Sequence, residues 1–119
     1  EESLQAGKKS ICYHEHELLL EAYYDTGNLL IDPYVGKPVS IIDKELLMPI
    51  FREDEPVVRL LPFSSMGEKN GLVEALTVEE LYIKEGKKER QILQAVIALG
   101  SPSLFQKKEY QMILNCHLL

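Results

Sequence analysis

Several features that would assign a function class are missing from this chain. Its 119 residues hold two cysteines, Cys12 and Cys116, far apart in the sequence. That spacing is neither a C-x-x-C pair nor a disulfide framework, so a reducing compartment is the default, with a bridge between the two left open. Dense basic clusters are absent as well. Lys8-Lys9, Lys87-Lys88 and Lys107-Lys108 are isolated pairs in a chain of net charge −6. Phosphate backbones are held by clustered Lys and Arg, so nucleic acid is not an expected partner. No apolar run reaches the roughly 18 residues of a membrane span, and the start does not resemble a signal peptide. A G-x-S-x-G elbow, a G-x-G-x-x-G fingerprint and a phosphate loop are all lacking. Repeats, low-complexity segments and linkers are lacking too.

What is present is ordinary for one globular domain: 45% apolar and 27% charged residues. A chain of this length affords one real core but no deep internal cleft. Residues 1–9 read as a loose tail or the cut edge of a longer chain, and 10–119 as a single folded unit.

Period-two patterning dominates. KSICYHEH and ELLLEAYY form an expected antiparallel hairpin turning near His14 to Glu17. DTGN is a sharp turn, LLID a short extended piece, and PVSII a buried strand. Asp43 caps one or two helical turns through KELL, which Pro49 is expected to stop. VVRLLPFSSMGEKNGLVEAL reads as a long hairpin with its tip near Ser65 to Gly71. A strand, a charged turn at Glu85 to Lys88 and a second strand follow, the last running into QAVIALG. SPSLF starts a short helix capped by Ser101 or Ser103, and YQMILNCHLL closes as a strand. The expected class is all-β with one or two short helices.

Candidates for chemistry are few. Cys12, His14 and His16 alternate and would share one strand face, but a fourth zinc ligand is not near. The plainer reading is a half-buried Cys with two exposed histidines, and no metal or cofactor is expected. Cys116 and His117 are neighbours and face opposite ways on a strand, so they are not a nucleophile pair. That leaves Asp25-Thr26-Gly27. The tripeptide alone arises by chance in about one or two per cent of chains this long, and a self-capping turn explains it without any catalysis. Its setting is more telling. It follows aromatic Tyr23 and Tyr24, leads into Leu29-Leu30, and stands far upstream of VIALG and a short helix.

Strand, Asp-Thr-Gly, strand, hairpin, apolar-apolar-Gly, helix: this order resembles one lobe of the aspartic proteases, of the single-lobe retroviral type. More narrowly, DTGNLLIDPYVGKPVSII and RLLPFSSMGEKNGLVEAL resemble the protease domain of the sporulation sigma-E factor-processing peptidases, membrane-anchored aspartic peptidases of endospore-forming bacteria. The pattern D-T-G-N-x-L-x-D-P followed by G-x-P-V is far more specific than Asp-Thr-Gly. The likeness runs from about Ser10 to Leu119.

The resemblance implies a pepsin-like single-lobe barrel and an aspartic endopeptidase. Asp25 would be catalytic and Thr26, Gly27 and Asn28 its supporting loop, with Thr26 bonded to the partner's loop. Tyr23, Tyr24, Leu29 and Leu30 would wall the site. The hairpin Phe63 to Gly71 would be a flap touching substrate through Ser64, Ser65, Met66 and Gly67, an ordinary exposed hairpin being the alternative. Asn28 is left with two partners, substrate or Asp32. Asp32, Asp43 and Asp54 do not repeat the loop, so the second acid would come from another copy in a homodimer. Residues 110–119 would pair with that copy's terminal strands, or lie inside the monomer. The implied substrate is an inactive sigma-factor precursor, and an activating signalling protein is a possible further partner. The full-length protein would sit on the cytoplasmic face of the membrane through an N-terminal domain absent here, leaving this piece soluble. A non-catalytic peptide-binding or dimerisation module on the same fold is the alternative function.

Overall fold

Alternating and continuous apolar runs become strands in the computed structural model. It describes residues 3–118 apart from 6, 7, 14, 26, 27, 29, 54, 66, 67 and 86, with backbone alone at 3–5, 8–12, 23–25, 64, 65, 68–70, 85 and 116. The strands are β1 (Ser3–Gln5), β2 (Lys8–Tyr13), β3 (His16–Leu20), β4 (Ala22–Asp25), β5 (Ile31–Asp32) and β6 (Lys37–Asp43). One α-helix, α1 (Lys44–Glu53), separates them from β7 (Arg59–Ser65), β8 (Glu68–Glu85), β9 (Lys88–Gly100) and β10 (Met112–Asn115). Two 3-10 turns, Pro102–Phe105 and Cys116–Leu118, follow β9 and β10. The sheet runs β1-β4-β10-β6-β9-β8-β2-β3, with β5 added to β6 and β7 to β8. The fold is all-β, as the patterning predicts.

The run AVIALG explains the interior. From Ala95 to Gly100 every residue of β9 is buried, because β6 lies parallel on one side, β8 antiparallel on the other, and both faces are covered. Ala95, Ile97 and Leu99 enter a larger core with Ile42, Leu47, Leu76 and Val78. Val96 and Ala98 enter a smaller one with Val39, Leu61 and Ala75. Gln94 adopts φ +54. Beyond it the inward residues become Ile92 on β9 and Leu81 and Ile83 on β8, so both strands change parity and curl round the larger core.

Three details depart from the sequence reading. Pro49 does not stop α1, which continues to Glu53. Leu46, Leu47, Ile50 and Phe51 give the helix one apolar face against the larger core, with Phe51 edge-on to Tyr13. That packing outweighs the roughly 3 kcal/mol a mid-helix proline costs. Second, of the two placements open for 110–119, β10 takes the one inside the monomer and not the pairing with a partner's strand. It lies between β4, parallel, and β6, antiparallel, with Met112, Leu114 and Asn115 buried. Third, β1 falls within the stretch expected to be a tail and pairs with β4 from Ser3↔Asp25 to Gln5↔Tyr23. The capping expectations hold: Asp43 Oδ1 accepts the Glu45 N–H at 3.0 Å, and Ser101 Oγ accepts the Ser103 N–H.

Candidate active site

Asp25 is the last residue of β4, and its backbone faces Ser3 on β1 and Asn115 on β10. Thr26, Gly27, Met66 and Gly67 lie outside the described residues, and of Asp25, Ser64 and Ser65 only the backbone is described. Of the strands flanking Asp25, the one after it in sequence is MILN, while Gly100 of VIALG stands opposite Asp43 on β6.

The chain downstream of Asp25 is fixed by two buried asparagines. Asn28, 8% exposed, donates its amide to Val39 O at 3.3 Å and Ile113 O at 3.5 Å. Its Oδ1 accepts the Leu30 N–H at 3.3 Å. Asn28 thus bonds the backbone of β6 and β10, and Asp32 is not the partner of its amide. Asn115, fully buried, donates Nδ2 to Leu30 O at 2.7 Å and Val39 O at 3.1 Å. Its Oδ1 accepts the His117 N–H at 2.9 Å, capping the final 3-10 turn, while its own N–H reaches buried Ser40 Oγ at 3.1 Å. Buried amides with satisfied donors and acceptors rigidify the backbone they join. Asn28 and Leu30 are clamped from the two strands, β6 and β10, that run alongside.

Asp32 ends this segment. Its carboxylate is fully buried, meets Arg59 Nη2 through Oδ2 at 2.5 Å, and accepts the Tyr34 N–H through Oδ1 at 2.8 Å. Burial alone would raise the acid's pKa. The Arg59 hydrogen bond and charge, with the Tyr34 and Val35 backbone N–H groups, outweigh burial and hold it below the usual carboxylate value. Asp43 spends Oδ1 on the helix cap. Two of the other aspartates therefore have structural partners of their own.

The hairpin expected around residues 63–71 is formed by β7 and β8, in register from Arg59↔Ala75 to Phe63↔Gly71, with an irregularity between Phe63 and Ser65. Phe63 lies across Gly71: a Cβ there would stand 2.6 Å from the ring. Leu61 and Val73 point inward to the smaller core, where Leu30 also packs. Leu60 and Leu72 face out, 52% and 64% exposed. Sequence reasoning missed Asn115, Ser40 and Arg59. The signal for Asn115 was a polar residue ending the apolar run MIL, where a buried amide needs partners. Arg59 was signalled by a cation opening an apolar strand.

Among the described residues no three His, Cys, Asp or Glu side chains could hold a metal ion, and no helix is long and apolar enough to cross a membrane. No solved structure matches the chain. Two curated relatives do. A probable sporulation sigma-E factor-processing peptidase of Clostridium acetobutylicum is 30% identical over 105 residues, 88% of this chain and 39% of that protein. The sporulation sigma-E factor-processing peptidase of Priestia megaterium is 23% identical over 130 residues, 92% of this chain and 42% of the relative. The chain thus spans about two-fifths of the length of these relatives. The likeness takes in the Asp25 loop, both clamping asparagines and the hairpin: the profile of the peptidase family described as Sporulation factor SpoIIGA matches residues 5–118, and the chain belongs to that family.

Proposed function

We propose that the chain is one lobe of an aspartic endopeptidase that works as a homodimer and cleaves an inactive sigma-factor precursor during sporulation. Membership of a peptidase family supports hydrolysis, and the names of the two relatives support the substrate class. The observation that carries the aspartic reading is the Asp-Thr-Gly-Asn segment at the end of β4, held downstream by Asn28 and Asn115. A site of this kind needs its carboxylates held still, and needs two of them. Asp32 and Asp43 are engaged elsewhere, and Asp54, outside the described residues, does not repeat the Asp-Thr-Gly loop, so on this reading the second acid is the Asp25 of another copy, across a two-fold axis.

Two carboxyls at such an axis cannot both ionise cheaply and share one proton. The ionised member takes a proton from a water as the oxygen attacks the scissile carbonyl, and the protonated member gives its proton to the carbonyl oxygen. The tetrahedral adduct then collapses, the amide nitrogen leaving with a proton returned from the pair. Gly27, without a Cβ, admits the substrate backbone, and Thr26 bonds across the dimer. The β7–β8 hairpin is the flap, with Ser64, Ser65, Met66 and Gly67 toward substrate. A membrane domain preceding this region in the full-length protein would hold it at the cytoplasmic face, where a signalling protein switches it on.

The test is incubation of the chain with a sigma-E precursor, the products mapped by mass spectrometry. A single N-terminal cut, lost in Asp25→Asn, supports the reading. Binding without a cut supports the non-catalytic module instead.

A further inference from the structure

One guanidinium reaches three parts of the fold. Arg59 opens β7 and with it the first arm of the hairpin. Its Nη2 meets the buried Asp32 carboxylate at 2.5 Å, at the end of the segment that leaves Asp25. Its Nη1 donates to Thr77 Oγ1 at 3.2 Å, on β8 just past the second arm. The same parts meet again in the smaller core, where Leu61, Val73 and Ala75 of the hairpin pack with Val39 and Leu30. Upstream, Leu30 is bonded on both its N–H and its C=O to the clamping asparagines. A continuous chain of contacts therefore runs from Asn28, three residues after Asp25, through Leu30 and Asp32 to the roots of both hairpin arms. The planar fork of arginine can serve Asp32 and Thr77 together; a lysine ammonium is a point charge and cannot hold that geometry.

We infer that Asp32 and Arg59 are a positioning pair: they fix the hairpin root against the segment following Asp25, so that flap and catalytic loop hold one relative geometry. The functional half of this rests on the peptidase reading. The pair touches no reacting atom. Its effect passes through the backbone of 28–32 and through the first residues of β7. The exposed outer face of the hairpin, Leu60 and Leu72, is untouched by it.

Hydrogen exchange followed by mass spectrometry tests the inference on the chain and on Thr77→Val, Arg59→Lys and Arg59→Met, beside cleavage of a sigma-E precursor. Thr77→Val leaves the buried ion pair in place, so the fold is kept if Arg59→Met fails to fold. Amides in the arms, at 60, 61, 63 and 71–75, should exchange at least about 10-fold faster in Arg59→Lys, and measurably faster in Thr77→Val, with 95–99 of β9 unchanged. The kcat/KM for the precursor should fall about 10-fold in Arg59→Lys, as expected when a substrate-positioning element loosens. Exchange that accelerates equally in the arms and in β9 would mean mere global stabilisation and would overturn the inference. Unchanged arms would overturn it too, as would loosened arms with undiminished cleavage. Should the unaltered chain cleave nothing, the peptidase reading fails, and the exchange pattern alone decides whether the pair fixes the hairpin.

Discussion

Asn115→Asp changes one atom group and tests the clamp behind the Asp25 loop. The amide nitrogen of Asn115 faces two carbonyl oxygens, Leu30 O at 2.7 Å and Val39 O at 3.1 Å, in a fully buried site. A carboxylate there would aim negative charge at two acceptors in a low-dielectric interior, so the variant folds only with the acid protonated. The neutral acid can donate to one carbonyl, and the lost hydrogen bond costs about 1–2 kcal/mol. Keeping an ordinary carboxyl protonated at pH 7 costs a further 4 kcal/mol or so, at about 1.4 kcal/mol per unit above a reference near 3.9. The sum, about 5–6 kcal/mol, approaches the whole stability of a small domain. The pH dependence follows in sign. A folded-state pKa raised above the unfolded value gives stability that returns as pH falls, so about 3 kcal/mol should be recovered between pH 7 and pH 4.5. Urea unfolding at the two pH values is the assay, with Asn115→Ala as a control that loses about 2–3 kcal/mol at both. An Asn115→Asp chain as stable as the parent at pH 7, or one that gains nothing in acid, would refute the hydrogen-bond assignment.

The Asp32–Arg59 pair predicts the opposite sign. Asp32's lowered pKa gives stability that is complete above the ordinary carboxylate value and disappears as pH falls through the folded pKa, so acid unfolding titrations of Asp32→Asn should lose that low-pH limb. Arg59→Met leaves the buried carboxylate uncompensated and should cost about 3 kcal/mol or more in urea at pH 7. Gly71→Ala places a methyl 2.6 Å from the Phe63 ring and should cost about 1–3 kcal/mol, less when combined with Phe63→Leu, measured as a double-mutant cycle. Pro49→Ala, at an exposed position in α1, should raise stability by about 1–2 kcal/mol in thermal or urea unfolding.

The strands were legible where one local rule sufficed. The hairpin 59–75 declares itself through two apolar arms around a polar tip, and the β8–β9 hairpin through a charged turn between β-rich runs. Asp43 and Ser101 announce helix starts through side chains that satisfy orphan N–H groups. Where tertiary contacts decide, the sequence is silent. Pro49 reads as a breaker because its cost is local, whereas the packing of Leu47 and Phe51 that outweighs it is not. For MILN the sequence leaves two placements, against a partner's strands or inside the monomer, because nothing local says that β4 and β6 close around it. Asn28 shows the same limit at the site: its residue type is fixed by carbonyls on β6 and β10, distant in sequence. Asp25 stands out as a candidate because its neighbours in sequence form a motif, whereas Asn115 does not because its partners, Leu30, Val39 and Ser40, are distant in sequence.

The most direct test of the account is subunit mixing. Parent chain and Asp25→Asn chain are combined at constant total concentration, allowed to exchange, and assayed on a sigma-E precursor. If each site needs one Asp25 from each of two copies, an equal mixture retains about a quarter of the parent rate, the fraction of dimers with two native acids. A mixture that retains about half, the rate falling in proportion to the parent chain, would contradict a shared site.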